Sequence, residues 1–215
     1  MDKINTVKIK AIIFDKDGVL VNSEKLKAIA WQRTLEFYGV KDGFSWYLLH
    51  LGPSSLCLAS MAIDTFNLDG VAEKISEEWD KNYREIEDSV EPIKENLESL
   101  ATLASKYLIG VASSMDKKTI EAEMVRFGYR EYIQACVSGE DVANNKPAPD
   151  VYLATAQLLQ VEPDECIAIE DSPTGISAAK NAGMYCIGFK NPLYDLDLGE
   201  ADVVTKNLSN IDWLL

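Results

Sequence analysis

Residues 12–20 read IIFDKDGVL, an apolar run followed by two aspartates with a lysine between them. The apolar residues are typical of a buried strand, and we predict one over residues 8–15. Asp15 and Asp17 are two positions apart, so both can reach the same point where the chain leaves the strand. Taken alone, Asp-x-Asp-Gly is more typical of a turn with side-chain-to-backbone hydrogen bonds than of a site. The role of the pair therefore depends on which residues the fold brings beside it.

The composition limits the classes of partner. The 215 residues contain 21 Lys and Arg against 35 Asp and Glu, for a formal net charge of −14, and 47% are hydrophobic. Such a chain can bury a substantial core, but it lacks the positive charge that nucleic acid or an anionic membrane would attract. No apolar run approaches the ~18 residues of a membrane span, and the amino terminus has no apolar signal core. We therefore predict a cytoplasmic monomer with no nucleic-acid or membrane partner.

The four cysteines are far apart and form no Cys-x-x-Cys pair; they are Cys57, Cys136, Cys166 and Cys186. Each stands in an apolar context, where a free cysteine behaves as a small hydrophobic residue. We therefore predict four free thiols, as suits a reducing compartment, rather than a metal or redox site.

Beyond residue 92, strand and helix patterns alternate. Strands are predicted over 107–113, 135–138, 166–170, 184–189 and 201–204, and helices over 93–105, 116–128, 149–160 and 173–182. This alternation predicts a parallel sheet with right-handed crossovers and helices on both faces. The fold class is therefore α/β, with a three-layer Rossmann-like core.

A long helical segment interrupts the first crossover. Helices are predicted over 23–39, 53–67 and 69–88, with a turn region at 41–44. In the first of them, Leu26, Ile29, Ala30 and Phe37 are predicted to form one apolar face, whereas the acidic residues of 69–88 indicate a solvated face. We predict that this segment is an inserted α-helical cap domain, residues 23–91, between core segments 1–22 and 92–215.

Polar residues collect where the predicted core strands end. Asp15 and Asp17 follow the first strand, Ser113-Ser114 the second and Glu170-Asp171 a later one, and the loop 139–150 adds Lys146. Each piece alone has an ordinary explanation, such as a helix cap. Together they lie at the sheet edge where open parallel sheets bind ligands. Several carboxylates at one point repel one another unless a hard cation lies among them, and Mg²⁺ suits such oxygen ligands.

Four segments, in chain order, carry a family resemblance: FDKDGVLVNSE (14–24), VASS (111–114), NKPAPD (145–150) and EDSPTGISAAKNAG (170–183). They resemble the motifs of the haloacid dehalogenase-like superfamily, in its phosphatase and sugar-phosphate mutase branch with a helical cap. The resemblance spans nearly the whole chain. It implies a Mg²⁺-dependent phosphatase whose partner is a small phosphorylated metabolite, such as a sugar or polyol phosphate.

The resemblance also implies roles for the two aspartates. Asp15 would attack phosphorus and form an aspartyl-phosphate, which divides one difficult displacement into two easier ones. Asp17 would protonate the leaving oxygen and later activate water. We expect neighbouring carboxylates to raise the pKa of Asp17, so that it holds a proton when the substrate arrives. Lys16, between them, is expected to point toward solvent.

The remaining implied roles concern the phosphoryl group and the metal. Ser113, aided by the backbone N–H of Ser114, would bind phosphoryl oxygens, and Lys146 would offset negative charge. The implied Mg²⁺ ligands are Asp15, Glu170, Asp171 and the backbone carbonyl of Asp17.

A sugar-phosphate mutase is the alternative. β-Phosphoglucomutases carry a histidine in the first cap helix and an arginine after a glycine turn of the cap. Lys27 stands at the histidine position, and Ser54 or Ser55, after Gly52, stands where the arginine is expected. Without that arginine the cap lacks the obvious clamp for a second phosphate, so we favour a phosphatase.

The candidate substrate-binding residues are Ser114, Gly52, Ser54, Lys27 and His50. Lys27 and His50 could meet a small anionic group, but both are expected to be ordinary surface residues. The region 44–60, which includes Phe44, Trp46 and Tyr47, is the predicted specificity surface. A dehalogenase is disfavoured because those enzymes lack the second aspartate, and a catalytically inactive binding or regulatory relative is the hypothesis from another class.

Overall fold

The computed structural model describes residues 9–209 and 211. Its sheet has six strands in the order β3-β2-β1-β4-β5-β6, and each neighbouring pair is parallel. The strands are β1 Ala11–Phe14, β2 Leu108–Ser113, β3 Ala135–Ser138, β4 Cys166–Glu170, β5 Tyr185–Phe189 and β6 Val203–Thr205. The predicted parallel α/β fold is confirmed. Strand order reverses between β1 and β4, so a crevice forms beyond their carboxyl ends.

Within the described residues, the helices are α1 Glu24–Phe37, α2 Gly43–Leu48, α3 Ser55–Phe66, α4 Ala72–Arg84, α5 Lys94–Leu103, α6 Lys117–Arg126, α7 Asp150–Leu159 and α8 Pro173–Asn181. Helix α2 was not predicted, and it begins in the expected turn region. It is held by packing on α1, where the side chain of Gln32 accepts a hydrogen bond from the backbone N–H of Phe44 at 2.9 Å. In this part of the chain, no helix is long and apolar enough to cross a membrane.

Alternate residues of β1 pack on opposite faces of the sheet. Ile12 and Phe14 belong to a core that includes residues of α5 and α6, whereas Ala11 and Ile13 belong to a second core with residues of α7 and α8. All four are fully buried. A strand covered on both faces is uniformly apolar, which explains why the run 11–14 shows no polar alternation.

Helices α1 to α4 share a third, aromatic core. Trp31 stacks on Trp79 with ring centroids 5.7 Å apart and on Tyr47 at 6.4 Å. The buried side of α1 is set by these contacts, so the predicted apolar face is wrong for Phe37, which is 83% exposed. On α4 the residues buried in this core are Ile75, Trp79 and Tyr83.

The helical segment joins the sheet through two adjacent connections. Val21 pairs with Pro92 in an antiparallel bridge, and the backbone N–H of Asn22 donates to the carbonyl of Glu91 at 2.8 Å. Upstream, Gly18 adopts a φ of +77°, which lets the chain turn sharply after the aspartates. The amino terminus of α1 therefore lies close to the carboxyl end of β1.

All four cysteines are free thiols. Cys166 and Cys186 are buried and Cys136 is half-buried, as expected for small hydrophobic residues. Cys57, also a free thiol, is exposed because it lies on the outer side of α3, opposite the buried Leu58, Ala59 and Ala62.

Candidate active site

The strand ends bring the predicted core residues together. Asp15 follows β1, Ser113 ends β2 and Glu170 ends β4. Lys146 crosses between them, with its Nζ 2.6 Å from Oδ1 of Asp15 and 2.6 Å from Oε1 of Glu170. The hydroxyl of Ser113 donates to Oδ2 of Asp17 at 3.2 Å. All five side chains are buried, so their charges interact in a medium of low polarity.

A cavity of about 480 Å³ lies above these residues. Its floor includes Asp15, Asp17, Ser114, Lys146 and Asp171. Its roof comes from helices α1 to α4 and the loop after α2, and it includes Glu24, Lys27, Trp31, Tyr47, Ser54, Ser55, Trp79 and Arg84. The cavity therefore joins a charged floor to a roof of hydroxyl, aromatic and charged groups.

Three carboxylates form a potential cation site. Oxygen atoms of Asp15, Glu170 and Asp171 all lie within 4.8 Å of one another. Burial raises the pKa of Asp15 to about 7; the Lys146 ammonium opposes this shift, and the carboxylates of Glu170 and Asp17 add to it. Burial, followed by the charges of Asp15 and Glu170, raises the pKa of Asp171 well above its usual range. A divalent cation would relieve this repulsion, and oxygen ligands fit Mg²⁺. The carbonyl of Asp17 as a further ligand stays a prediction.

Two tyrosines orient the carboxylates of this cluster. The hydroxyl of Tyr152, on α7, donates to Oε1 of Glu170 at 2.7 Å. The hydroxyl of Tyr194, in the segment between β5 and β6, donates to Oδ2 of Asp171. Such partners fix the direction of potential metal ligands. Neither tyrosine belongs to the sequence motifs, so sequence reasoning gave no signal for them.

Asp17 is surrounded by positive charge. Its Oδ1 lies 2.9 Å from Nζ of Lys16 and 2.9 Å from Nζ of Lys27, and it accepts a hydrogen bond from Ser23 Oγ at 2.5 Å. Burial opposes ionisation of this carboxyl, but the two ammonium groups and the Ser23 hydroxyl hold its pKa well below the usual range. The expectation that neighbouring carboxylates raise the pKa of Asp17 is therefore wrong.

Lys16 does not point toward solvent as expected. Its side chain is fully buried, and its Nζ contacts Oε2 of Glu123 at 2.5 Å as well as Asp17. A buried ammonium group is stable only when charged or polar groups surround it, and Glu123 of α6 supplies the second carboxylate. Glu123 lies outside every motif and was missed.

The two candidates expected on the surface differ in placement. Lys27 is only 8% exposed, because it reaches Asp17 and also donates to Oε1 of Glu24 at 2.9 Å, so the surface expectation is wrong. His50 is half-buried and packs on Trp46, with its Nδ1 2.6 Å from the Trp46 carbonyl oxygen. His50 is not among the described residues that line the cavity.

The loop after α2 lies on the core. The carbonyl of Gly52 accepts a hydrogen bond from Ser114 Oγ at 3.1 Å, and a Cβ at Gly52 would press on Thr174 and Ser172. Ser54 caps α3 and lines the cavity. From the predicted specificity surface, Tyr47 and the loop reach the cavity, whereas Trp46 is buried in the helical core. We did not predict that Trp31, Trp79 and Arg84 line the cavity, because their helical spacing is typical of core residues or of a solvated helix face.

A family model for haloacid dehalogenase-like hydrolases matches residues 12–189. The chain belongs to this family. It is 30% identical over 209 residues to validoxylamine A 7'-phosphate phosphatase of Streptomyces hygroscopicus subsp. limoneus, covering 95% of this chain and 96% of that protein. It is 29% identical to the fructose-1-phosphate phosphatase YqaB of Escherichia coli, covering 80% and 92%.

Among solved structures, the chain resembles β-phosphoglucomutase from Clostridium difficile, with a TM-score of 0.78 and 25% identity over 94% of this chain and 92% of that one. The resemblance stated from the motifs is confirmed. Together, the family model and the named relatives support a phosphoric monoester hydrolase.

Proposed function

We propose that this chain is a Mg²⁺-dependent phosphatase that hydrolyses a small sugar or polyol phosphate through an aspartyl-phosphate on Asp15. One observation carries the proposal: Lys146 bridges Asp15 and Glu170 at 2.6 Å each, beside Asp171, on the floor of a cavity of about 480 Å³. This arrangement combines a nucleophile, a fixed cation and a set of oxygen ligands at one point.

In this mechanism, a carboxylate oxygen of Asp15 attacks phosphorus as the bond to the leaving oxygen breaks. Lys146 would offset the negative charge that gathers there, and Ser113, aided by the backbone N–H of Ser114, which lines the cavity, would bind phosphoryl oxygens. Asp15, Glu170 and Asp171 would hold Mg²⁺, which when bound would neutralise charge on the transferring group.

Asp17 manages the proton in both half-reactions. Lys16 and Lys27 keep it ionised before substrate arrives, and the negative phosphoryl group then raises its pKa by like-charge repulsion. Asp17 takes up a proton from solvent as its pKa rises and gives that proton to the leaving oxygen as the P–O bond breaks. It then accepts a proton from the water that attacks the aspartyl-phosphate. Release of phosphate removes the like-charge repulsion, so Asp17 returns this proton to solvent and the ionised starting state is restored.

The substrate class rests on the cavity roof and the named relatives. Tyr47, Ser54 and Ser55 line the cavity together with Trp31 and Trp79, and this mixture of hydroxyl and aromatic side chains suits a polyhydroxylated leaving group. Two relatives are named for a validoxylamine phosphate and a fructose phosphate. A mutase is less well supported, because serines stand at the expected arginine position.

Residues 23–91 act as a cap in this proposal. The segment has its own aromatic core, joins the sheet through adjacent connections, and contacts the core through Lys27 with Asp17 and Gly52 with Ser114. Opening of such a cap would admit substrate, and closure would exclude bulk water from the aspartates.

The test is hydrolysis of para-nitrophenyl phosphate with Mg²⁺ and with EDTA, for the unmodified protein and Asp15→Asn. We expect turnover that depends on Mg²⁺ and falls by at least about 10³-fold in the variant, since the amide is a poor nucleophile. Asp88→Asn, at a fully exposed side chain, is the control. Absence of turnover with Mg²⁺ would favour an inactive binding relative.

The substrate is then sought among sugar phosphates, polyol phosphates and nucleotides by phosphate release. The panel includes β-glucose 1-phosphate with its bisphosphate activator. Formation of glucose 6-phosphate without net phosphate release would establish the mutase instead.

A further inference from the structure

The Lys16 side chain forms a buried link between Asp17 and helix α6. Its Nζ lies 2.9 Å from Oδ1 of Asp17 and 2.5 Å from Oε2 of Glu123. The side chains of Lys16, Asp17 and Glu123 are 0%, 10% and 7% exposed. Glu123 is 107 residues from Lys16 in sequence, so the link depends on the tertiary fold.

Stability alone does not explain this link. Removing an ammonium group and a carboxylate from water costs several kcal/mol per ion, and replacing a buried pair by well-packed apolar residues is often neutral or stabilising. An apolar residue at position 16 could fill the same space without that cost. A buried pair in contact with a functional carboxylate therefore points to a role in the reaction.

The geometry at Asp17 indicates what the role is. Its Oδ1 meets three donor groups, from Lys16, Lys27 and Ser23, whereas its Oδ2 accepts from Ser113 at 3.2 Å. Oδ1 is therefore fixed, and Oδ2 is the oxygen with the fewer partners among the described residues. Lys27 belongs to the helical segment, but Lys16 and Glu123 both belong to the layers around the sheet.

We propose that Lys16, held by Glu123, is a positioning residue that fixes Oδ1 of Asp17 so that Oδ2 faces the leaving-group oxygen. The inference rests on the proposed function, in which Asp17 exchanges a proton with that oxygen. Because Lys16 does not belong to the helical segment, its hold on Asp17 persists when that segment moves.

The leaving group provides a specific readout. Phenolate is a stronger base than para-nitrophenolate, so phenyl phosphate needs protonation of its leaving oxygen more than para-nitrophenyl phosphate does. With Lys16→Met we expect kcat to fall about 10- to 100-fold for phenyl phosphate and less than about 3-fold for para-nitrophenyl phosphate, as lost acid catalysis predicts. A purely structural role would lower both rates by one common factor.

A second variant separates positioning from folding. Lys16→Met leaves Glu123 buried without its cation and should lower Tm, whereas Lys16→Met with Glu123→Gln removes both charges and should recover much of the Tm. The ratio of the two rates should stay shifted in the double variant, because Asp17 still lacks Lys16. Lys180→Met, which removes a surface ion pair with Asp202, is the control and should keep the unmodified ratio.

The outcomes are distinct. A shifted ratio in both Lys16 variants, with Tm recovered in the double variant, supports the positioning role. An equal loss for both esters, or a normal ratio in the double variant, overturns it while the phosphatase stands. If the unmodified protein hydrolyses neither ester with Mg²⁺, the proposed function itself fails, and the positioning role fails with it.

Discussion

Nζ of Lys27, on the first helix of the inserted segment, lies 2.9 Å from Oδ1 of Asp17 at the end of β1. Both side chains are only 10% exposed, so this ion pair is little weakened by solvent. Lys27 also pairs with Glu24 at 2.9 Å, and Glu24 accepts a hydrogen bond from Tyr47 at 2.5 Å. The chain of contacts ties two helices of the proposed cap to the proposed proton carrier.

Loss of this ion pair should destabilise the closed position of the proposed cap and should leave the Asp17 carboxylate less firmly oriented. We expect Lys27→Met to lower kcat/KM for para-nitrophenyl phosphate by about 10- to 100-fold, because removing one partner of a buried charge pair leaves the other charge less compensated, at a cost of a few kcal/mol. Lys25→Met, at an exposed position of the same helix, is the matched control and should leave kcat/KM unchanged. Equal kcat/KM in the two variants would contradict a role for the pair.

Removal of Lys146 should affect both rate and metal dependence. Lys146→Met leaves Asp15, Glu170 and Asp171 facing one another without their cation, so we expect kcat to fall about 10²–10³-fold and Tm to fall in the absence of metal. Mg²⁺ should then raise Tm more in this variant than in the unmodified protein, since it relieves a stronger repulsion. Thermal unfolding with MgCl₂ or EDTA measures this.

Lys118→Met, at an exposed position of α6, is the control for that experiment and should respond to Mg²⁺ as the unmodified protein does. If Mg²⁺ shifts the Tm of none of these proteins, the three carboxylates do not form a metal site.

Gly18 allows a direct test of crowding beside the site. A Cβ there would overlap the carboxylate of Asp171 and the hydroxyl of Tyr194, and the residue has a φ of +77°. Gly39 has a similar φ of +81°, but a Cβ added at Gly39 would meet no atom within 4 Å. We expect Gly39→Ala to cost about 1–2 kcal/mol of stability, from backbone strain alone, with normal kcat. Gly18→Ala should cost more and lower kcat at least about 10-fold.

The comparison of the two alanine variants isolates the clash from the strain. Chemical denaturation gives the free energy of unfolding, and hydrolysis of para-nitrophenyl phosphate gives kcat. A kcat for Gly18→Ala that equals that of Gly39→Ala would show that Asp171 is not displaced by the added methyl group.

Local sequence patterns predicted the sheet and the residues at its carboxyl ends. Apolar runs such as 166–170 mark buried strands, and Asp15, Ser113 and Glu170 follow directly from where those runs stop. Helix α2 escaped prediction because a six-residue helix has little periodicity of its own and depends on packing against α1.

The surroundings of Asp17 could not be predicted, because they depend on contacts distant in sequence. Lys16 is buried beside Glu123, which is 107 residues away in sequence, and Lys27 is buried where α1 lies above the strand end. The ammonium groups of these two lysines shift the pKa of Asp17 downward. The motif alone suggested the opposite shift, from neighbouring carboxylates, because it does not show that two cations lie nearer.

The cysteines should differ sharply in reactivity with alkylating agents. Cys57 is exposed, whereas burial, followed by the charge of Glu121, raises the pKa of the half-buried Cys136 to about 11. A raised pKa keeps the thiol protonated below that pH, and the protonated thiol is a poor nucleophile. At pH 8 we therefore expect iodoacetamide to label Cys57 first, and mass spectrometry of peptides identifies the labelled site. Cys57→Ser should abolish the fast labelling, whereas labelling of Cys136 as fast as that of Cys57 would contradict its shielding.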